Sequence, residues 1–294
     1  MEDSTTANKV GRVAIATSFA IVFAIFAAVY CLVAIKLHDP ATLNLLVLRP
    51  LVGATDYYSR ELSPSLKKKV FFIPACDGSK IDAWFFKVDG SDKLTIVNHG
   101  NAGNLANRFY LAKVLTQAHS NVLMYDYRGY GLSTGVATVP GILQDGLTVY
   151  DYARQKLGYA PDKIILYGES IGTAVTCNIA KNRECAAVIL QSGIGSLPAV
   201  GRSLMPFLWL FPDVLFAEPH LDNVAVVHDI HVPILFCHGA IDRIVPCSES
   251  KRMFANANEP KQLVVLPDCG HNDMGVQNKK EFYDAIGNFV ACVK

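Results

Sequence analysis

Leu166 to Ala174 reads LYGESIGTA, which sets Ser170 midway between Gly168 and Gly172. A serine hydroxyl is a weak nucleophile at neutral pH, so chemistry at Ser170 requires a base to take its proton and a third group to hold that base in one tautomer. Two residues later in the chain match these roles. Asp242, in HGAIDRIVP, follows the apolar run PILFCHG, and His271, in PDCGHND, follows QLVVLP. The order Ser170, Asp242, His271 is the one expected when the nucleophile sits on a strand-to-helix turn. Other candidates fit less well. His220, His228, His231 and His238 lie within or before the strand that leads to Asp242, and Asp268 and Asp273 flank His271 too closely in sequence to reach its far nitrogen. An oxyanion formed at such a serine needs N–H donors. NHGNAGN, from Asn98 to Asn104, turns on two glycines after LTIV, and the N–H groups of Asn101 and Ile171 are the candidate donors. His99 in the same loop reads as a buried structural histidine.

These residues need rigid elements to bring them together. VFFIPA and KIDAWFFKV are joined through Asp77-Gly78, a turn dipeptide, and so predict a leading hairpin. Short apolar runs follow at LTIVN, NVLMYDY, KIILYG, AAVILQS, PILFCHG and QLVVLP, separated by stretches of helical period such as GILQDGLTVYDYARQKL from Gly141 to Leu157. Continuous apolar strands are buried on both faces, as in a parallel sheet covered by helices. The fold class is therefore α/β, a mostly parallel central sheet with helices on both faces. Ser170 lies between KIILYG and IGTAVTCNIAKN, on the turn where strand becomes helix. Gly168 and Gly172 there leave room for close packing and let the hydroxyl stand clear.

At 294 residues, 51% hydrophobic and 18% charged, the chain buries a sizeable core. A net charge of +1 without long runs of either sign argues against a nucleic-acid partner. Eight cysteines are scattered without a CxxC pair, and Cys31 lies in an apolar segment, so a disulfide framework is not expected. No Asn-x-Ser/Thr acceptor occurs. DYRGYG, Asp126 to Gly131, fits neither a phosphate loop nor a dinucleotide fingerprint; Asp126 and Arg128 are expected to brace the loop above the sheet. No cofactor is implied, and His228 and His231 lack partners at metal-ligand spacing, so no metal site is expected.

After a short tail, residues 1–12, the segment from Val13 to Ile35 carries no charge and at ~1.5 Å per residue is long enough to span a ~30 Å hydrocarbon core. It predicts a single transmembrane anchor. Basic residues on both sides, Lys9 and Arg12 before it and Lys36 and Arg49 after it, leave the side of the soluble domain undecided. Residues 36–65 read as a juxtamembrane linker, either lying on the lipid surface or packed beneath the domain. Residues 66–294 form one domain of ordinary size. Within it, about 193–230, comes an insertion holding SLMPFLWLFPDVLF, from Ser203 to Phe216. Two readings stand: Phe207, Trp209 and Phe211 cap the site and face an acyl chain, or the block simply packs on the core. The partners expected are a membrane and a lipid or acyl-ester substrate, with the oligomeric state left open.

HGNAGN, DYRGYG, GESIGT and the terminal GHND together resemble the α/β-hydrolase superfamily over essentially all of the soluble part. Within it they look most like the membrane-anchored eukaryotic α/β-hydrolase-domain proteins, a group that includes lysophospholipid lipases and enzymes that remove palmitate from proteins. The resemblance implies a serine hydrolase of acyl esters or thioesters, with Ser170, Asp242 and His271 at the triad positions. This chain departs from the group in two ways. Glu169 precedes the serine where relatives often carry histidine or arginine, and the cysteine-rich N-terminus of the depalmitoylating branch is missing. A non-catalytic membrane-bound interaction protein of the same fold is the rival reading, and the full set of triad residues argues against it.

Overall fold

The computed structural model describes residues 3–53, 66, 68–275 and 280–293. Chain order brings first a helix, α1 (Asp3–His38), then α2 (Pro40–Val47) and a two-residue strand, β1 (Arg49–Pro50). The hairpin of β2 (Lys68–Pro74) and β3 (Lys80–Phe86) turns at Gly78, whose φ of +84° suits glycine. From there strands and helices alternate. β4 (Leu94–Asn98), the short β5 (Ala102–Gly103), α3 (Phe109–Gln117), β6 (Asn121–Tyr125), α4 (Val139–Gln155), β7 (Ile164–Glu169), α5 (Gly172–Asn182) and β8 (Ala187–Gln191) come first. After β8 the chain leaves the sheet as α6 (Leu197–Leu204), two 3-10 turns at Pro206–Leu210 and Asp213–Leu215, and α7 (Asn223–Val226). It returns as β9 (Ile234–Gly239), α8 (Cys247–Asn256), β10 (Lys261–Leu266) and α9 (Lys280–Cys292).

Eight strands form one sheet in the order β10-β9-β8-β7-β4-β6-β3-β2. β2 and β3 run antiparallel, β3 meets β6 antiparallel, and every other neighbour is parallel. Every residue of β4, β6, β7, β8 and β9 is buried, whereas the edge strands β2 and β10 are half open. Strand alternation explains this: Leu166 and Leu190 face a core built with α4, α5 and α8, while Tyr167 and Ile189 face a second core built with α3 and α9. Because six strands are parallel, their carboxyl ends share one edge, and the loops that leave that edge are where a site is to be sought.

Among its side-chain-resolved residues, α1 shows Ile21–His38 with none of it buried, a stretch long and apolar enough to cross a membrane. Asp39 caps α2, its carboxylate accepting from the N–H groups of Ala41 and Thr42 at 3.0 and 3.2 Å. The next residues are a packed connector. Leu43 and Val47 pack on the core, Leu48 is buried, the Asn44 side chain accepts from the Val139 N–H at 2.8 Å, and β1 pairs in parallel with β5. Residues 40–50 thus pack on the domain through one side, while Leu45 and Leu46 remain exposed. The remainder of the expected linker, 54–65, lies outside the described residues. All eight cysteines are free thiols.

One buried charge stands out. Asp82 on β3 is 3% exposed, and its Oδ1 has no hydrogen-bond partner among the described residues. Burial, and then the neighbouring Asp126 charge, push its carboxyl up to about 6, with Lys68 opposing. The folded chain therefore holds a proton on Asp82 at a pH where the unfolded chain has released it, so stability falls as pH rises from about 4 through about 6. Asp82→Asn, which keeps the shape without the charge, is expected to raise stability by about 1–2 kcal/mol near pH 8 and by little near pH 4. Urea unfolding at the two pH values checks this; an equal effect at both would show that the charge is not the cause.

Candidate active site

Ser170 closes β7 with φ of +54°, a left-handed conformation uncommon for a residue with a side chain. Its N–H donates to the Gln191 carbonyl at 2.9 Å, and its own carbonyl accepts from the Thr173 N–H at 3.0 Å and the Thr173 hydroxyl at 2.6 Å. The flanking glycines are required by space. A Cβ on Gly168 would lie 2.6 Å from the Gly172 carbonyl oxygen and 2.7 Å from Thr173 Cα, and one on Gly172 would strike the Asn98 and His99 carbonyls of β4 and its loop. The turn therefore presents the hydroxyl at the carboxyl edge of the sheet, where α5 begins.

His271 hangs from the loop after β10, which rests on the end of β9 where Gly239 faces the Cys269 and Gly270 carbonyls. The Asp273 carboxylate accepts the Gly270 N–H at 2.9 Å and closes that loop. His271 Nε2 lies 3.0 Å from Ser170 Oγ and its Nδ1 lies 2.6 Å from Asp242 Oδ2. Asp242, in the loop after β9, is fixed through Oδ1 by the N–H groups of Ile244 and Val245 at 2.8 and 2.9 Å. His238, set aside in the sequence because it lies within the strand leading to Asp242, proves to be a second imidazole beside that carboxylate. Buried His238 points Nε2 at the Val245 carbonyl at 2.9 Å, which requires the proton on that nitrogen, and the same nitrogen is 3.3 Å from Asp242 Oδ2. Burial pushes the Asp242 carboxyl up, but the hydrogen bonds from His238 and His271, the His271 charge and the Val245 N–H outweigh it and hold the group well below the usual carboxylate range. An ionised Asp242 accepts the Nδ1 proton of His271 and leaves Nε2 with its lone pair toward Ser170. A hydroxyl so placed can lose its proton to the imidazole as it attacks a carbonyl carbon.

Asn101 and Ile171 line the same cavity as Ser170, and neither N–H has an acceptor among the described residues. The loop that carries Asn101 is held from several sides. Its carbonyl accepts from the Arg49 N–H at 3.0 Å and the Tyr130 hydroxyl at 2.9 Å, and its side chain donates to the Val47 carbonyl at 3.0 Å. His99 is buried, with Nδ1 2.7 Å from the Gly100 carbonyl and its ring against Tyr127. Arg128 braces the neighbouring loop on Asp145, and Asp126 accepts the Leu105 N–H at 2.7 Å.

Glu169, immediately before the serine, is likewise buried and meets Arg108 through two hydrogen bonds of 3.0 and 3.1 Å. Arg108 also donates to the Ala102 carbonyl, so the ion pair ties the end of β7 to the Asn101 loop. Burial raises the Glu169 carboxyl, and the Arg108 charge and hydrogen bonds more than reverse that, so it stays ionised. The only sequence signal for it was a charged residue at the end of an otherwise apolar strand.

A cavity of about 370 Å³ opens beside Ser170. Leu43 and Val47 of α2, Leu197 and Val200 of α6, Ile194 and Phe216 wall it, and Lys36 and Leu37 at the end of α1 join them. The expected cap residues need correction. Phe207 and Trp209 face outward, 52% and 72% exposed, and Phe211 is buried against Tyr30 of α1 with ring centroids 4.5 Å apart. Met205 and Leu208 face the cavity instead. Pro206–Leu210 is a 3-10 turn with about three residues per turn, so residues 205, 208 and 211 share the inner side.

A family model described as serine aminopeptidase, S33, matches residues 90–217. An uncharacterized protein of Mycobacterium tuberculosis is 35% identical to this chain over 216 residues, covering 73% of the chain and 76% of the relative. Mus musculus alpha/beta hydrolase domain-containing protein 17C is 30% identical over 244 residues, 80% of this chain and 71% of its own length. Among solved structures, a Pyrococcus furiosus esterase shares the fold with a TM-score of 0.70 at 20% identity, covering 83% of this chain and 97% of that one.

The Arg108–Glu169 pair generates a prediction. Arg108→Met leaves a buried carboxylate unpaired and is expected to cost about 3–5 kcal/mol of stability. Adding Glu169→Gln to it should recover most of that loss. Urea denaturation of the two single variants and the double variant measures the coupling, and strict additivity would mean that the two side chains do not depend on each other.

Proposed function

The chain belongs to the α/β-hydrolase family, and from that premise we propose that it is a membrane-anchored serine hydrolase of lipid acyl esters. The observation that carries this reading is the hydrogen-bonded series Ser170, His271, Asp242, with Ser170 lining an apolar cavity. Ser170 Oγ attacks the acyl carbon while its proton passes to His271 Nε2. The oxyanion is taken by the N–H groups of Asn101 and Ile171. As the tetrahedral species collapses, His271 returns the proton to the leaving alcohol or thiol oxygen or sulfur, and the acyl group stays on Ser170. Water then gives a proton to His271 Nε2 as it attacks the acyl carbon, and when the C–Oγ bond breaks His271 returns that proton to Ser170 Oγ, releasing the carboxylic acid and restoring the serine.

The cavity favours an acyl chain over a peptide N-terminus. An aminopeptidase must hold a free ammonium group, usually with carboxylates, and no aspartate or glutamate lines the cavity among the described residues. Among the described residues, Lys36 is its one charged wall residue. The long apolar helix α1 supports membrane anchoring. A thioester presents the same acyl group to the same wall, so removal of acyl chains from protein thiols lies within the reach of this site.

Labelling by a fluorophosphonate probe tests the nucleophile. Ser170→Ala and His271→Ala are each expected to abolish it and to lower ester turnover by about 10⁴-fold or more, with the double variant little worse than either. Labelling that survives Ser170→Ala would overturn the assignment. The apolar wall generates a second expectation, read in a series of nitrophenyl esters. kcat/KM should climb by up to about four-fold per methylene, corresponding to ~0.8 kcal/mol, until the cavity is filled. A preference for acetyl over longer acyl groups would remove the lipid assignment while leaving the nucleophile standing.

A further inference from the structure

The residues that cover the site from outside form an apolar surface that the hydrolase reaction does not explain. Between Leu197 and Phe216 the charged residues are Arg202 and Asp213 alone. They form an ion pair at 2.5 Å, and the Arg202 guanidinium is folded under the rings of Trp209 and Phe216 at 5.2 and 5.1 Å. With that charge neutralised, Phe207, Trp209, Leu210 and Val214 project outward, the last three 72%, 71% and 74% exposed. An apolar patch of this kind on an otherwise soluble domain marks an interaction surface.

Its place relative to α1 identifies the partner. Phe211 stacks on Tyr30, the Tyr30 hydroxyl donates to the Leu210 carbonyl at 3.3 Å, and the Ala217 N–H donates to the Leu37 carbonyl at 2.7 Å. The cap is thereby fastened alongside the apolar stretch Ile21–His38. Tyr30 lies six residues before Lys36 and so about 9 Å deeper along the helix, at ~1.5 Å per residue. That is the depth to which interfacial apolar segments enter a leaflet, about 5–10 Å. The lining residues of the cavity that are also exposed include Leu46, Leu204, Met205 and Ile244, all apolar; Leu204 and Met205 adjoin the cap in sequence, and Lys36, a cation at the end of α1, lines the same cavity.

We propose that the outer face of the cap, centred on Trp209 and Leu210, is embedded in the lipid leaflet into which α1 runs, so that the cavity mouth opens inside the membrane interface. A lipid ester then reaches Ser170 by lateral movement, acyl chain first, without crossing water. This rests on the reading of α1 as a membrane anchor, and it is independent of whether Ser170 is reactive.

The test uses the full chain reconstituted in phosphatidylcholine vesicles. Trp209 and Trp84 are the two tryptophans, and Trp84 is buried, so the emission lost in Trp209→Phe reports Trp209. That emission should be blue-shifted, and most of it should be lost when the lipids carry a spin label near the glycerol end of the acyl chain. Dissolved iodide should have little effect. Trp209→Glu should lower hydrolysis of a long-chain ester presented in the vesicles by about ten-fold or more and leave a dissolved short-chain ester within about two-fold. Quenching by iodide and not by labelled lipid overturns the proposal. So does a dimer in detergent that Trp209→Glu converts to monomer, because the face then belongs to a second copy. Fluorophosphonate labelling of the same samples keeps the two readings apart: a labelled protein with an aqueous Trp209 sinks only the cap, and an unlabelled one with a lipid-quenched Trp209 sinks only the enzyme.

Discussion

The left-handed turn at Ser170 is the constraint around which the site is arranged. A residue with a Cβ at φ of +54° costs on the order of 1–2 kcal/mol, and the fold holds it there through the Gln191 carbonyl on one side and Thr173 on the other. The turn closes only because α5 starts against β4 with no side chain between them. Gly172 touches the Asn98 and His99 carbonyls, so the contact that positions the hydroxyl also fixes the distance from Ile171 to the Asn101 loop. A slip of one residue between β4 and β7 would carry the Asn101 N–H away from the serine and from the Ile171 N–H that adjoins it.

Two carboxylates flank this turn, and their surroundings give them different roles. Asp242 spends its charge on His271 and His238 and keeps the imidazole in one tautomer. Glu169 lies next to the serine in the chain, where a free negative charge would oppose any oxyanion. Arg108 cancels it through a two-point contact and, by also holding the Ala102 carbonyl, uses the same charge to fasten the loop that bears Asn101. Electrostatic compensation and loop rigidity therefore come from one side chain.

The sheet was legible in the sequence because its central strands are uninterrupted apolar runs, each followed by a helix period or a turn, and Asp77-Gly78 marked the hairpin. The grouping of Ser170, Asp242 and His271 was legible from position alone, since each follows a different strand whose carboxyl ends share one edge. Other features carried no local signal. Arg108 and Glu169 are 61 residues apart and meet only in three dimensions. β1 and β5 pair over two residues each, too few for any alternation to show. In LMPFLWLFP every residue is apolar or proline, so no polar face reveals which side chains point inward; the 3-10 turn decides that, and it selects Leu208 over Phe207 and Trp209.

The joining of α1 to the cavity wall makes the length of the connector a fixed quantity. Leu37 lines the cavity and its carbonyl holds Ala217, and two residues later Asp39 caps α2, another part of the same wall. A residue inserted at the break between His38 and Pro40 would lengthen the link between these two held points, so the Leu37–Ala217 hydrogen bond or the seat of α2 on the domain would have to give. The helix is therefore not an exchangeable tether. Descendants of this gene that replace α1 or shed it must rebuild one side of the chamber over Ser170, so changes in that helix and changes in what the chamber accepts are inherited together.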